Sequence, residues 1–109
     1  VQASVSVEGA ETASDERAAL VWRVAQEAVR NALRHADAST LAVTVRGDGS
    51  RLVLEVVDDG TGFDPKAKQA TDSFGLRGLR SLVSEAGGTL DVRSSSGEGT
   101  AVLMEVAAR

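Results

Sequence analysis

The sequence predicts an α+β fold, a two-layer sandwich in which helices cover one face of a β-sheet. Its 109 residues carry apolar patterns in the order β-α-β-β-loop-α-β-β. The strand patterns alternate apolar and polar residues, which is typical of a sheet with one buried face and one wet face. Two pairs of successive strands are joined by short turns, and strands joined in this way form antiparallel hairpins.

The first strand and the first helix are predicted over residues 1–8 and 15–36. Val5 and Val7 share one face of the strand, as expected of a half-buried strand. The helical segment is rich in Ala, Leu, Arg and Glu and contains no Gly or Pro, and Ser14 or the following Asp is suited to cap its start. The apolar arc of this helix consists of Val21, Val24, Ala25, Ala28, Val29, Ala32 and Leu33.

The second half of the chain begins with a hairpin and continues through a long loop. The Asp-Gly pair at residues 48–49 is a strong turn signal between two alternating segments. The loop contains the only proline, and its length and composition are typical of a functional or disordered segment. A second helix follows and stops at a pair of glycines. These elements are predicted as strands 40–46 and 51–58, loop 59–74, helix 75–85 and strands 89–94 and 100–106.

The composition excludes several classes of function. With 42% apolar and 26% charged residues, the chain can form the core of one domain. Without cysteine it forms no disulfide, thiolate metal site or cysteine nucleophile, and its single histidine disfavours a His-rich metal site. A net charge of −4 and 3% aromatic residues disfavour nucleic-acid binding. Because no apolar run reaches membrane-spanning length and no signal peptide opens the chain, we expect a small cytoplasmic domain without direct membrane contact.

A polar stripe runs along the first helix, beside its apolar arc. It consists of Glu27, Asn31, Arg34 and His35 at helical spacing. One interpretation is the solvated flank of an amphipathic helix. The other is a site, because an Asn oxygen can bind Mg²⁺, Glu can accept a proton or orient a nucleophile, and Arg and His can meet phosphate oxygens. Asn is also a poor helix former, so its place within the helix favours a functional reason.

Two glycine-containing segments are candidate ligand loops. The first, Asp-Asp-Gly-Thr-Gly at residues 58–62, directly follows a strand, and its glycines allow close approach to a ligand. The second, Gly-Leu-Arg-Gly at residues 75–78, opens the second helix, where free backbone N–H groups can bind an anion with help from Arg77 and Arg80. A tight turn and an ordinary loop-to-helix junction are the alternatives. Neither segment matches a Walker A loop or a dinucleotide-binding fingerprint.

Four segments together resemble the ATP-binding catalytic domain of bacterial sensor histidine kinases. In order along the chain they are QEAVRNALRHA, VVDDGTGF, FGLRGLRSLV and GGTLDVRSSSGEGT, of which the first three are similar to the N, G1 and G2 boxes. The ending RHADAS and the short lid resemble the subfamily that pairs with nitrate/nitrite-type response regulators. The resemblance covers residues 15–106 and implies the Bergerat fold, with a mixed sheet and helices on one side.

The resemblance also implies a role for each matching residue. Asn31 would hold Mg²⁺, and Glu27 would lie near the γ-phosphate as a base or an orienter of the nucleophile. Asp58 would accept a hydrogen bond from the adenine amino group, and Thr100 would lie near the adenine pocket. Residues 64–74 would form the ATP lid. The other implied ligand contacts are Arg34 and His35 to the phosphates, Gly60 and Gly62 beside the base, and Gly75, Leu76, Gly78 and Leu79 beside the triphosphate. Many relatives carry Asn where this chain has Asp59, a difference expected to matter little if that side chain points outward.

The activity implied is transfer of the γ-phosphoryl group of Mg-ATP to a histidine on a separate helical dimerisation domain, and from there to a response regulator. His35 belongs to the N box in this match, and nothing in the sequence encodes the two dimerisation helices. We therefore expect residues 1–109 to be one domain of a larger sensor, either membrane-anchored or soluble. The domain should be monomeric in isolation and unable to phosphorylate itself.

Other functions of the same fold stay open at this stage. The pattern Glu-Ala-x-x-Asn-x-x-x-His-Ala over residues 27–36 is also similar to the first box of anti-sigma serine kinases. A gyrase- or chaperone-like ATPase would require a further domain to transmit the energy of hydrolysis. A nucleotide-binding module without kinase activity is the fourth possibility, although the intact candidate residues disfavour it.

Overall fold

A computed structural model describes residues 2–11, 13–34, 38–60, 76–94 and 98–109, without the side chains of Arg34, Leu76 and Arg77. In these ranges the chain forms five strands and two helices, which confirms the predicted α+β class. The elements are β1 (Gln2–Glu8), α1 (Asp15–Arg34), β2 (Thr40–Gly47), β3 (Arg51–Asp58), α2 (Leu76–Glu85), β4 (Thr89–Ser94) and β5 (Thr100–Ala107). None of the described helices is long and apolar enough to span a lipid bilayer.

The five strands form one mixed sheet in the order β1-β2-β3-β5-β4. β1 and β2 pair in parallel because α1 carries the chain across between them. The other neighbours pair antiparallel, as the two predicted hairpins require. The sheet is therefore mixed, with its single parallel pair at one edge.

The core lies between the helices and one face of the sheet. β3 alternates strictly, with Leu52, Leu54 and Val56 buried and the residues between them exposed. α1 packs on β2, β3 and β5, and α2 packs on α1 and β4. Both helices thus cover the same face and leave the other face to solvent. The most completely buried side chains of the described residues are Leu52, Leu54, Met104, Val24, Val83 and Val106.

The ends of both helices follow from local hydrogen bonds. The Ser14 Oγ atom accepts a hydrogen bond from the backbone N–H of Arg17 at 3.2 Å, so Ser14 is the N-cap of α1. Asp15 and Glu16 in the first turn add negative charge where the helix dipole favours it. α2 ends before the predicted glycine pair, where the N–H of Gly88 donates to a carbonyl of the last turn at 2.9 Å.

Three apolar residues expected to be buried are exposed, and on these the sequence-based expectation is wrong. Val5 and Val7 of β1 are 72% and 59% exposed, and Leu33 of α1 is 50% exposed. Their faces were assigned correctly, since Val5 pairs with Val43 on the helix-covered side of the sheet. The reason for their exposure is that the described helices pack mainly over β2 to β5 and make no extensive contact with β1.

The turn between β2 and β3 is held by one carboxylate. The Asp48 Oδ1 atom accepts hydrogen bonds at 2.9 Å from the backbone N–H groups of Ser50 and Arg51, and the Ser50 hydroxyl lies at the same distance. These hydrogen bonds stabilise the charged form and lower the pKa of Asp48 from 3.8 to about 2. The predicted hairpin is therefore confirmed, with the aspartate as its main side-chain support.

The stabilising effect of Asp48 should depend on pH. Because its pKa is lower in the folded chain, the stabilisation is complete above the ordinary pKa of 3.8 and is mostly lost as the pH falls to about 2. Urea unfolding midpoints of the wild type and Asp48→Ala, measured from about pH 6 to about pH 2.5, should therefore converge on acidification. A gap between the two midpoints that stays constant over this range would contradict the assignment.

Candidate functional site

Four strand ends meet at one end of the sheet, which we call the site end. β3 ends there with Asp58, β5 begins with Thr100 and β4 ends with Ser94. In the strand register Asp58 pairs with Thr100, and Thr100 pairs with Ser94. Leu41, at the start of β2, pairs with Asp58 from the other side. A row of polar side chains therefore borders the apolar core on its helix-facing side.

The two helices present opposite termini to the site end. α1 finishes at Arg34, and the chain then enters β2 at Thr40, beside the end of β3. α2 leads into β4 at Thr89, at the other end of the sheet, so the N-terminus of α2 lies at the site end. The last turn of α1, with Asn31, and the first turn of α2, with Gly78, are thereby brought to the same end as Asp58. The fold thus gathers candidate residues that are far apart in sequence.

Asp58 is a buried carboxylate with one oxygen already engaged. It is 9% exposed and is the one buried charged residue in the described part of the chain. Its Oδ1 atom accepts a hydrogen bond from the Gly60 N–H at 2.8 Å, and among the described residues Gly60 is its only hydrogen-bond partner. No buried side-chain oxygen or nitrogen in the described ranges lacks a partner, so the second Asp58 oxygen is still accessible. A carboxylate in this setting is suited to accept a hydrogen bond from a ligand, because a buried charge without partners is costly.

The start of β5 completes this corner of the site. Gly99 has a φ of +82°, and a Cβ atom there would lie 2.3 Å from the Asp58 carbonyl oxygen. Only glycine permits this approach of the two strands. The Thr100 Oγ1 and Ser94 Oγ atoms are 2.9 Å apart, and the Ser94 hydroxyl donates to the Gly99 carbonyl at 3.0 Å. Thr100 is thus held beside Asp58 in a fixed orientation.

Sequence reasoning missed Gly99 and Ser94 as parts of the site. The signal for Ser94 was its place in the alternation of β4, on the same face as the buried Leu90. For Gly99 the signal was weaker, since a glycine in a Ser/Gly-rich loop has many explanations. The need for glycine comes from the neighbouring strand, and it becomes visible only when the pairing of β3 with β5 is known.

Glu27 and Asn31 occupy the flank of α1, one turn apart, and both are half-buried. The Glu27 carboxylate lies 3.8 Å from the Arg30 guanidinium, whose side chain is 61% exposed. An ion pair with so exposed a partner contributes little to stability. The predicted polar stripe is therefore confirmed in its first two members, which lie between the core and solvent.

The first turn of α2 is chemically different from that of α1. It contains no acidic residue, and Arg80 is exposed one turn further on. Gly78 is exposed, and a Cβ atom there would meet no described atom within 4 Å. The described packing therefore does not require glycine inside this helix, where glycine is unfavourable relative to alanine. Leu79, by contrast, is a core residue with 7% exposure.

Several predicted site residues lie outside the described part of the structure. They are His35, Gly62, Gly75 and the predicted lid 64–74. Arg34 and Leu76 belong to α1 and α2 by their backbones, and their side chains are not described. Their predicted roles stay predictions.

Asp59 makes hydrogen bonds that its sequence pattern did not indicate. Its Oδ1 atom accepts hydrogen bonds from the backbone N–H groups of Ser39 and Thr40, both at 2.8 Å. Asp59 therefore links the end of β3 to the start of β2 at the site end. The side chain is exposed, and the expectation that Asp or Asn can stand at this position stays a prediction.

The donor atoms fit a Mg²⁺ ion held mainly by a phosphate ligand. The described residues contain no cluster of three or more His, Asp or Glu side chains that could hold a metal ion. Mg²⁺ commonly keeps several waters and binds one or two protein oxygens together with substrate phosphates. Asn31 lies in the last turn of α1, at the same end of the sheet as the N-terminus of α2, and an amide oxygen is a ligand of the kind that such shared coordination uses.

A five-stranded mixed sheet with helices on one face and a buried aspartate at the end of a central strand is the architecture of the Bergerat fold. The chain belongs to the family of histidine kinase-, DNA gyrase B- and HSP90-like ATPases, whose family model matches residues 16–109. The coverage extends from the start of α1 to the last residue.

Two similar proteins of known name are sensor histidine kinases. The chain is 32% identical over 92 residues to sensor histidine kinase YhcY of Bacillus subtilis (strain 168), covering 84% of this chain and 24% of that protein. It is 37% identical over 86 residues to sensor histidine kinase LiaS of the same organism, covering 79% of this chain and 24% of the relative. The chain therefore spans about a quarter of the length of these relatives.

A solved structure of a histidine kinase contains the same fold. The Erythrobacter litoralis EL346 blue-light activated histidine kinase superposes with a TM-score of 0.73 at 28% identity. The match covers 99% of this chain and 36% of the other. The Bergerat-type fold implied by the sequence motifs is therefore confirmed.

Proposed function

We propose that this domain binds Mg-ATP and donates the γ-phosphoryl group to a histidine on a helical dimerisation domain of the same sensor kinase. A response regulator would then receive the phosphoryl group. The observation that carries the proposal is Asp58, a buried carboxylate with one oxygen fixed by Gly60 and the other accessible at the site end. The two relatives named above, both sensor histidine kinases, support the same function.

The adenine would bind next to Asp58. Its exocyclic amine would donate to the free carboxylate oxygen, a charge-assisted hydrogen bond that a purine without an amine cannot make. Gly60 and Gly62 would let the backbone pass close to the base, and Thr100 would line the pocket from β5. The buried position of Asp58 strengthens the contact because little water competes there.

The triphosphate would extend from Asp58 toward the helix termini. Arg34 and His35 would contact the phosphates from α1, and Gly75, Leu76, Gly78 and Leu79 would flank them at the start of α2. The absence of acidic residues in the first turn of α2 supports this orientation, since the N-terminus is left without a competing negative side chain. Asn31 would hold Mg²⁺, which would supply positive charge beside the phosphates.

Positioning and electrostatics would supply most of the catalysis. Glu27 would orient the attacking imidazole or accept its proton, and residues 64–74 would close as a lid that excludes water. The imidazole nitrogen would form a bond to the γ-phosphorus while the bond to the bridging oxygen breaks and ADP leaves. This chain's own residues would therefore bind, orient and exclude water, and the acceptor would come from another domain.

Residues 1–109 would form one such domain of a larger sensor, monomeric when isolated. His35 is the only histidine of the sequence and stands in the first motif, so it would serve the nucleotide and would not be the phosphoacceptor. The ending RHADAS supports placement in the subfamily that pairs with nitrate/nitrite-type regulators.

The test combines a titration with a transfer assay. Calorimetric titration of Mg-ATP into the domain should show saturable binding to one site. With γ-labelled ATP the domain alone should stay unlabelled, and addition of the helical domain of the parent kinase should give acid-labile, alkali-stable phosphohistidine on that domain. No binding to a folded chain, or acid-stable phosphoserine on a different protein, would overturn the proposal, and the second outcome would favour an anti-sigma kinase.

A further inference from the structure

The residue after β3 connects two strands at the site end. The Asp59 Oδ1 atom accepts hydrogen bonds from the N–H groups of Ser39 and Thr40, each at 2.8 Å. The Asp59 N–H donates to the Thr40 carbonyl at 3.3 Å. Backbone and side chain of one residue therefore hold the start of β2.

These hydrogen bonds keep Asp59 charged. Donation from the Thr40 N–H, and next from the Ser39 N–H, lowers the pKa of Asp59 below its ordinary value. The carboxylate is exposed to solvent, so it is not held there by burial. The backbone N–H groups of Ser39 and Thr40 hold it at the start of β2, because each donates a hydrogen bond to its Oδ1 atom.

The proposed site has two halves, one at Asp58 at the end of β3 and one at Asn31 at the end of α1, and Asp59 is connected to both. Asp59 directly follows Asp58, while Ser39 and Thr40 follow the segment that leaves α1, the helix that carries Asn31. Ser39 also accepts a hydrogen bond from the Gln2 N–H at 2.9 Å, so β1 is tied to the same point. The Ala38 N–H donates to the Ala32 carbonyl of α1 at 3.4 Å, so Asp59 connects the end of β3 to residues that are themselves bonded to α1.

We propose that Asp59 is a positioning residue that sets the spacing between the adenine acceptor Asp58 and the phosphate-side residue Asn31. This inference rests on the proposed function. A ligand that occupies both halves, such as ATP, depends on that spacing, whereas adenosine occupies only the half near Asp58. Loss of Asp59 should therefore weaken ATP binding more than adenosine binding.

Asp48 is a matched control within the same strand pair. It is also an exposed aspartate whose Oδ1 atom accepts hydrogen bonds from two backbone N–H groups, at 2.9 Å. It lies in the turn at the opposite end of β2 and β3 from Asp59. Its removal should weaken the fold in a similar way without altering the site end.

The experiment compares Asp59→Ala, Asp59→Asn and Asp48→Ala by thermal unfolding and by titration with Mg-ATP and adenosine. Asp59→Ala should weaken Mg-ATP binding about 5- to 20-fold and adenosine binding by less than about twofold. The reason is that a changed spacing between Asp58 and Asn31 weakens binding of the ligand that contacts both residues. Asp59→Asn should stay within about twofold of wild type for both ligands, because the amide oxygen can accept the same two hydrogen bonds. Asp48→Ala should bind both ligands as wild type does.

Three outcomes would overturn the inference while the proposed function stands. They are wild-type ATP affinity in Asp59→Ala, equal losses for ATP and adenosine, and no rescue by Asp59→Asn. If Asp59→Ala does not fold, Asp59→Ser, whose hydroxyl can replace part of the cap, should show an intermediate and still ATP-selective loss. A wild-type chain that is folded and binds neither ligand would overturn the proposed function and this inference with it.

Discussion

Asp58→Ala should bind Mg-ATP about 10- to 100-fold more weakly than the wild-type chain, because it removes a buried, charge-assisted hydrogen bond of about 1.5–3 kcal/mol. The same loss is expected for ADP, since the adenine end of the ligand is unchanged. Calorimetric titration of both nucleotides measures the effect directly. The alanine variant also removes the acceptor of the Gly60 N–H, so part of its loss would come from the turn after β3.

Asp58→Asn separates the two effects. The asparagine Oδ1 atom can still accept the hydrogen bond from Gly60, while its NH₂ group replaces the oxygen that would accept from adenine. We therefore expect a loss close to that of the alanine variant with a smaller change in thermal stability. Asp91→Asn is the control for charge, since Asp91 is exposed on β4 and pairs with Arg93 at 3.0 Å. Wild-type affinity in Asp58→Asn would show that the aspartate serves the turn and not the base.

Local pattern was sufficient to predict most of the fold. The alternation of β3 and the amphipathic face of α1 each arise from contacts with the core alone, so a single sequence shows them. The exposure of Val5 and Val7 was not predictable in this way. Their alternation is correct for a covered strand, and which strands the two helices cover is decided by the packing of the whole domain.

The same distinction applies to the candidate site: features with a local sequence pattern could be predicted, and features that depend on distant residues could not. Asp58 was predictable because a carboxylate followed by two nearby glycines at the end of a strand has a recognisable local form. The role of Asp59 was not, because its partners, Ser39 and Thr40, are 20 and 19 residues away in the sequence. Ser94 and Gly99 were missed for a related reason, since their contacts depend on the pairing of β5 with both neighbours.

The second large effect is expected at Asn31. Asn31→Ala should lower phosphoryl transfer to the helical domain about 100-fold at a fixed, low Mg²⁺ concentration, because it removes the one protein oxygen proposed to hold the ion. Binding of ADP in the presence of a chelator should change by less than about twofold, since that complex contains no metal. The helix itself should not weaken, because alanine is a better helix former than asparagine.

A titration of the transfer rate with Mg²⁺ distinguishes this role from a general defect. If Asn31 holds the ion, the Asn31→Ala curve should shift to a higher Mg²⁺ concentration and recover much of the rate at saturation. Gln26→Ala is the matched control, since it removes an exposed amide from the outward face of the same helix and should leave the curve unchanged. A loss of metal-free ADP binding equal to the loss of transfer would place Asn31 at the nucleotide and not at the ion. Asn31→Ala and Asp58→Asn would then both lose nucleotide binding whether or not Mg²⁺ is present. The proposed geometry requires a difference between them: the defect of Asn31→Ala should depend on Mg²⁺, and the loss of binding in Asp58→Asn should not.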